Sequence, residues 1–373
     1  LSAHSHFAFG GWVGLALITL LVYDILPEPF RSKRIYQWIL VGVETSSLGM
    51  ALLFPFLGYR TITILFSDLY VLASVVFVIT FIRDVLKSNI YPVVRLLSIS
   101  AVLSMLLSFL GTLGLAYIIS THSGGSILYR DSVYTFLHFQ YNGFFTLSIF
   151  ALLINYLLKK DLFIHKSIRR FAIFLCLSVI PALFLSLLWH NLVLFYVFAV
   201  IGCVCILISL FFFLSSVRFF QPGKLFVYPL ARSLWVLSMC SFAIKMFLQV
   251  GTIFPQLGNA VYGARPIIIG FLHLVFLGFV TFFILSDLIR SGYFTVDEKK
   301  VTRYPFIIFS FGIIFNELLL GVQGLGILFK SNSSIFGWLL WSASILLFLG
   351  ALLIAAERIR IINKKTTHLA ARG

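Results

Sequence analysis

The sequence predicts an all-α fold: a polytopic membrane helix bundle of eleven spans, forming a single transmembrane domain over residues 1–373. Three observations predict it. First, the 373 residues are 61% hydrophobic and only 11% charged, against about 25% charged residues in an ordinary soluble domain. With a mean hydropathy of +1.06, polar side chains are too few to cover a water-facing surface, which excludes a soluble globular, disordered or fibrous chain. Second, apolar runs of about 20 residues, the length that crosses the hydrocarbon as a helix, recur along the whole chain. None shows the period-two alternation of a barrel strand. Third, lysine and arginine crowd into alternate loops, as they do on the cytoplasmic side of membrane proteins. The net charge of +16 therefore points to the lipid bilayer as partner and not to nucleic acid.

Taken in order, the run 6–26 gives way to Arg31, Lys33 and Arg34, and 35–57 ends just before Arg60. The run 61–82 leads to Arg83, Lys87 and Arg95, and 96–119 to a loop with Arg130. After 132–158 come Lys159, Lys160, Lys166, Arg169 and Arg170. The runs 171–189 and 191–216 meet at His190 and are followed by Arg218, Lys224 and Arg232. The run 228–250 leads to the loop 251–265 with Arg265, and 266–289 to the loop 290–304 with Arg290, Lys299, Lys300 and Arg303. Lys330 follows 305–328, and Arg358, Arg360, Lys364, Lys365 and Arg372 follow 335–356. One set of alternate loops thus holds only Arg60, Arg130, Arg265 and Lys330; apart from Lys245, which lies inside a span, every other basic residue is on the opposite side. The expected topology is N-terminus outside and C-terminus inside, in the inner (cytoplasmic) membrane.

Leu1 opens the sequence without a basic n-region or a cleavage site, so no signal peptide is expected. Cys176, Cys203, Cys205 and Cys240 lie in apolar runs without metal or disulfide spacing and are expected to be small core residues. No glycine-rich phosphate loop occurs, which excludes an ATP-driven pump in one chain.

The histidines carry the chemistry. His4 and His6 stand at the outer mouth of the first span, His122 and His190 at outer turns, and His165 and His368 in basic inner segments. His138 and His273 each lie about seven residues, or roughly 10 Å, inside a span. Polar residues at that depth are costly and usually functional. Their surroundings share a pattern: His6 precedes Gly10 and Gly14, His138 precedes Gly143, and His273 precedes Gly278, with aromatics around each. Glycine one turn along removes bulk beside the imidazole. That space suits either a flat macrocycle with an imidazole aimed at its iron or a neighbouring helix packed closely. His4 and His6 point about 200° apart on a helix, so only one can face a given pocket. His6 shares a stripe with Gly10 and Gly14 and is the better candidate.

The order of these motifs resembles subunit I of heme–copper oxidases and nitric oxide reductases, and the small NnrS-type membrane proteins. An early-helix histidine, His138 followed by Asn142-Gly143-Phe144-Phe145, Trp189-His190, and Leu272-His273-Leu274 with Gly278 carry the resemblance. It implies a twelve-helix fold of which this chain lacks the first span. It implies a low-spin heme b held by His6 (or His4) and His273, and copper or non-heme iron at His138 and His190. Three positions depart from the family. Phe271 stands where a second late-helix histidine is usual, His190-Asn191 where a His-His pair is expected, and Asn142 where a tyrosine is expected, with Tyr141 adjacent. A one-heme protein with a partial or lost second site fits these departures better than an intact binuclear centre.

Four charges fall inside spans: Glu44, Asp68, Lys245 and Glu317, the last beside Asn316. A central charge costs about 2.5–3.5 kcal/mol on insertion scales. They imply a polar interior, in which Lys245 is expected to meet Asp68 or a heme propionate, and Glu44 and Glu317 to relay protons. The resulting expectation is a heme-binding membrane protein. It would transfer electrons from a quinol or cytochrome donor, or handle O2 or nitric oxide, near the outer side. The competing expectation is a proton-coupled secondary transporter using Glu44, Lys245 and Glu317.

Overall fold

The helices of this chain begin and end where backbone chemistry requires. In a computed structural model, described here for residues 2–121, 126–160, 166–217, 226–258, 264–294, 303–329 and 333–370, eleven helices are long and apolar enough to cross a membrane, and no strand occurs among the described residues. They are α1 (Ala3–Ile25), α2 (Arg34–Leu57), α3 (Thr61–Lys87), α4 (Pro92–Thr121), α5 (Ile127–Lys159), α6 (Lys166–His190), α7 (Val193–Val217), α8 (Pro229–Gly251), α9 (Arg265–Arg290), α10 (Tyr304–Leu328) and α11 (Ile335–Asn363). Each matches one expected apolar run. Several extend beyond it by a turn, because the backbone ladder continues past the hydrocarbon while Lys and Arg stems reach back along it. Proline opens α4 and α8 and stands in the first turn of α9 and α10, where its missing N–H costs nothing. Gly58 at φ +57 and ψ −144 ends α2 in a conformation open to glycine, and Asn191 at φ 54 ends α6 in the left-handed conformation that stops a helix. His122 and His165 lie outside the described residues.

The helices gather into two units, Leu1–Phe219 and Phe220–Gly373. In the first, α2 packs on α3, α4 on α5 and α6 on α7, with α1 against α2 and α5. α5 is its centre: 89% of its most apolar window is buried. Side chains from α2 and α5 close two helix ends. Asn155 Nδ2 and Lys159 Nζ donate to the carbonyl of Asp24 at 2.8 and 2.5 Å, at the end of α1. Lys33 Nζ lies 2.5 Å from Asp84 Oδ1, and Tyr36 Oη donates to Asp84 Oδ2 at 2.9 Å, joining the start of α2 to the end of α3. In the second unit α8 packs on α9, α9 on α10 and α10 on α11. α11 presents Trp338, Trp341 and Phe348 outward, as a lipid-facing helix does. All four cysteines are free thiols; Cys203 is buried as expected, whereas Cys240 faces outward.

The ladders are interrupted in a pattern. π-helical turns occupy Phe7–Gly14 and Leu21–Ile25 of α1, Phe139–Phe145 of α5 and Leu274–Thr281 of α9. Such turns account for well under 1% of residues in soluble proteins. In α6, Pro181 removes a backbone donor, and from Leu183 to His190 the helix tightens to 3-10 geometry. Gly202 of α7 packs onto this break: a Cβ there would lie 2.6 Å from the backbone nitrogen of Ala182.

Candidate functional site

Three of the four described π-helical turns start directly after a histidine. His6, His138 and His273 are each the residue that caps such a turn. The i→i+5 ladder widens the helix there and changes the directions in which the following side chains point.

In the first unit, His138 is fully buried. Its Nε2 lies 2.7 Å from the carbonyl of Val179, and its Nδ1 lies 3.1 Å from Nδ2 of Asn142. Both ring nitrogens of His138 are thus engaged by the protein. Val179 stands just before the 3-10 segment of α6, and a change from i→i+4 to i→i+3 pairing releases a carbonyl at such a junction. His138 therefore clamps α5 to the break in α6. Beside it, Gln140 Nε2 donates to Ser108 Oγ at 2.9 Å.

His190 ends the 3-10 segment. Its Nε2 lies 3.0 and 3.2 Å from the two carboxylate oxygens of Asp131. Its ring lies against Trp189 at 3.9 Å between centroids, and Arg130 covers the other ring at 4.7 Å. His6 is part-buried, its ring stacked on Phe54 at 4.6 Å and 29°, with Tyr59 edge-on at 6.4 Å. His4 is exposed, which agrees with the opposed directions of the two side chains.

In the second unit, His273 Nδ1 lies 3.0 Å from Asn316 Nδ2 of α10, and the same Nδ2 lies 3.2 Å from Glu317 Oε1. Lys245 is 1% exposed, with Nζ 4.0 Å from the Met246 sulfur and 5.9 Å from the Phe242 ring centroid.

The glycines settle one open alternative. A Cβ at Gly10 would lie 2.8 Å from both Ser47 Oγ and the Tyr70 ring, at Gly143 2.3 Å from Ser104 Cβ, and at Gly278 2.8 Å from Ser241 Oγ. The space beside each histidine is filled by a serine of a neighbouring helix. At these positions glycine serves close helix packing.

Two of the intramembrane charges also need correction. Glu44 and Asp68 are exposed on the outer faces of α2 and α3 and do not line a polar interior. The reason is helical phase. Gly42 faces Ala73 of α3, 3.3 Å from where its Cβ would be, and Glu44 follows about 200° further round. Asp68 forms no ion pair among the described residues. Of the other two, Lys245 is buried and Glu317 is half-buried beside the buried Asn316.

Sequence reasoning missed Asp131 and Val179 as histidine partners. Pro181 was the available signal for the second; an aspartate near a span end is too common to signal the first. Among the described residues, no group of three or more His, Cys, Asp or Glu side chains is placed to hold a metal ion. As chemical donors, the imidazoles of His6 and His273 fit a heme iron. His6 and His273 belong to different units, and each is described within its own. No protein-family model matches the chain, and no curated protein matches it.

Proposed function

We propose that this chain is a heme-binding redox protein of the cytoplasmic membrane that transfers electrons, or handles a diatomic gas such as O2 or nitric oxide, toward the side poor in basic loops. The single observation that carries the reading is the recurrence of a π-helical turn directly after His6, His138 and His273. A rare ladder kept beside three imidazoles supports a site over a packing accident. Imidazole is the commonest protein ligand for iron, and a bound b-type heme would supply one-electron chemistry.

His273 is the ligand the surroundings favour most. A ligating histidine needs its second nitrogen held by a neighbour, and Asn316 holds Nδ1. Turned over, the same amide presents Oδ1 to a protonated Nδ1, so Asn316 serves both the free and the iron-bound ring. A second metal at His138 and His190 forms no part of this proposal, because both nitrogens of His138 and Nε2 of His190 bond to the protein.

The test is an absorption spectrum of the purified protein with a pyridine-hemochrome assay. A sharp Soret band is expected, lost in His273→Ala and weakened in Asn316→Ala. A spectrum without that band rejects the proposal. One observation favours a second reading: Asn316 links His273 to Glu317, a chain suited to proton coupling in a transporter with Lys245. A heme-free protein whose proton flux in liposomes is abolished by Glu317→Gln would establish that reading instead.

A further inference from the structure

The outer face of α2 is an apolar stripe with a carboxyl at its middle. Trp38 and Val41, three residues apart, and Leu48 and Leu52, four apart, are exposed along it, and Glu44 and Thr45 stand between the two pairs, also exposed. Glu44 lies roughly 15 Å along the helix from Arg34, near mid-bilayer depth. It makes no ion pair or hydrogen bond among the described residues. Lipid satisfies the apolar members of such a stripe, but a mid-membrane carboxyl facing lipid is expensive, and such groups pair with one another or with basic partners.

We propose that this face docks a transmembrane helix of a partner protein carrying a lysine or arginine at mid-bilayer depth, opposite Glu44. Charge complementarity selects this occupant. The amines of lipid headgroups lie at the interface, about 15 Å from the bilayer centre. A second copy meeting this face through a two-fold axis would set Glu44 against Glu44. Lys245, a basic side chain well inside a span, is buried in its own unit. Thr45 adds a hydroxyl to the same surface, suited to an interhelical hydrogen bond. Asp68 on the outer face of α3 extends the acidic character of this hairpin toward its other end.

The test uses the full chain in phosphatidylcholine vesicles, carrying a donor fluorophore. The probe is a synthetic leucine–alanine helix of about 21 residues bearing an acceptor and a single central Lys, Gln or Leu. Energy transfer is expected to show the Lys helix associating at least about fivefold more tightly than the Leu helix. Glu44→Leu should remove that preference, and Glu44→Gln should reduce it, with the melting temperature of each variant unchanged. Equal association of the Lys and Leu helices, or a preference that survives Glu44→Leu, overturns the proposal. A second measurement uses native membranes. Dicyclohexylcarbodiimide, which labels lipid-accessible carboxyls, is expected to label Glu44 only after purification. Full labelling before extraction means that the face meets lipid and the proposal fails. Self-transfer between two labelled copies that Glu44→Leu abolishes also overturns it, by making the occupant a second copy. None of these readouts depends on heme.

Discussion

Replacing Gly143 with alanine separates the two uses that a glycine beside a membrane histidine can serve. The new Cβ would stand 2.3 Å from Ser104 Cβ and 2.5 Å from Ser104 Oγ. Carbon atoms settle at about 3.5–4.0 Å, so the neighbours must part by roughly 1.2–1.7 Å. Ser104 cannot yield by rotation alone, because its Cβ is fixed to the backbone of α4 and its Oγ donates to Ser100 O at 2.7 Å. Overpacking of this kind costs about 1–3 kcal/mol. Ser104→Gly removes the colliding atoms at an intrinsic helix cost of about 0.5–1 kcal/mol. The double variant should therefore be more stable than the sum of the single effects, with a coupling of about 1–3 kcal/mol. Thermal unfolding in detergent, followed by circular dichroism, measures all four corners of this cycle. A neutral Gly143→Ala, or a double variant that merely adds the two losses, refutes the packing argument. Heme content per folded protein should be unchanged in the double variant. A selective loss of heme there would restore the macrocycle slot.

Two further substitutions test the local anchors. His138→Ala strips partners from the Val179 carbonyl and the Asn142 amide in a sealed interior, and is expected to lower stability by about 2–4 kcal/mol in the same assay; an unchanged melt dismisses the clamp between α5 and α6. Asp84→Ala takes the shared acceptor from Lys33 and Tyr36. Because Asp84 is only 4% exposed while Lys33 is 41% exposed, most of the expected loss of about 1–3 kcal/mol falls on the buried Tyr36 hydroxyl. Tyr36→Phe should reproduce a good part of it, and if it does not, the ion pair is the larger contribution.

Much of the architecture was legible from local chemistry. Each span announced itself by length and hydropathy. The candidate site was only partly legible. His138 and His273 stood out because an imidazole inside a span is uncommon, but their partners did not. Val179 is 41 positions from His138, Asn316 is 43 from His273, and Asp131 is 59 from His190. No local pattern joins residues so far apart. The glycines were visible but ambiguous, since a gap for a cofactor and a gap for a serine of the next helix have the same sequence signature.

The amino-acid order alone determined that this is a multi-pass membrane helix bundle. In hydrocarbon every peptide group must bond within its own segment, so span length and apolarity suffice to set the element and its limits. Tertiary structure alone decided which side of each helix turns inward. Apolar side chains face both the interior and lipid, so composition carries little phase information. The close contacts of Gly42 with Ala73 and of Gly143 with Ser104 supply it. That choice left Glu44 at the surface, sealed His138 against a broken helix, and brought Asn316 to His273.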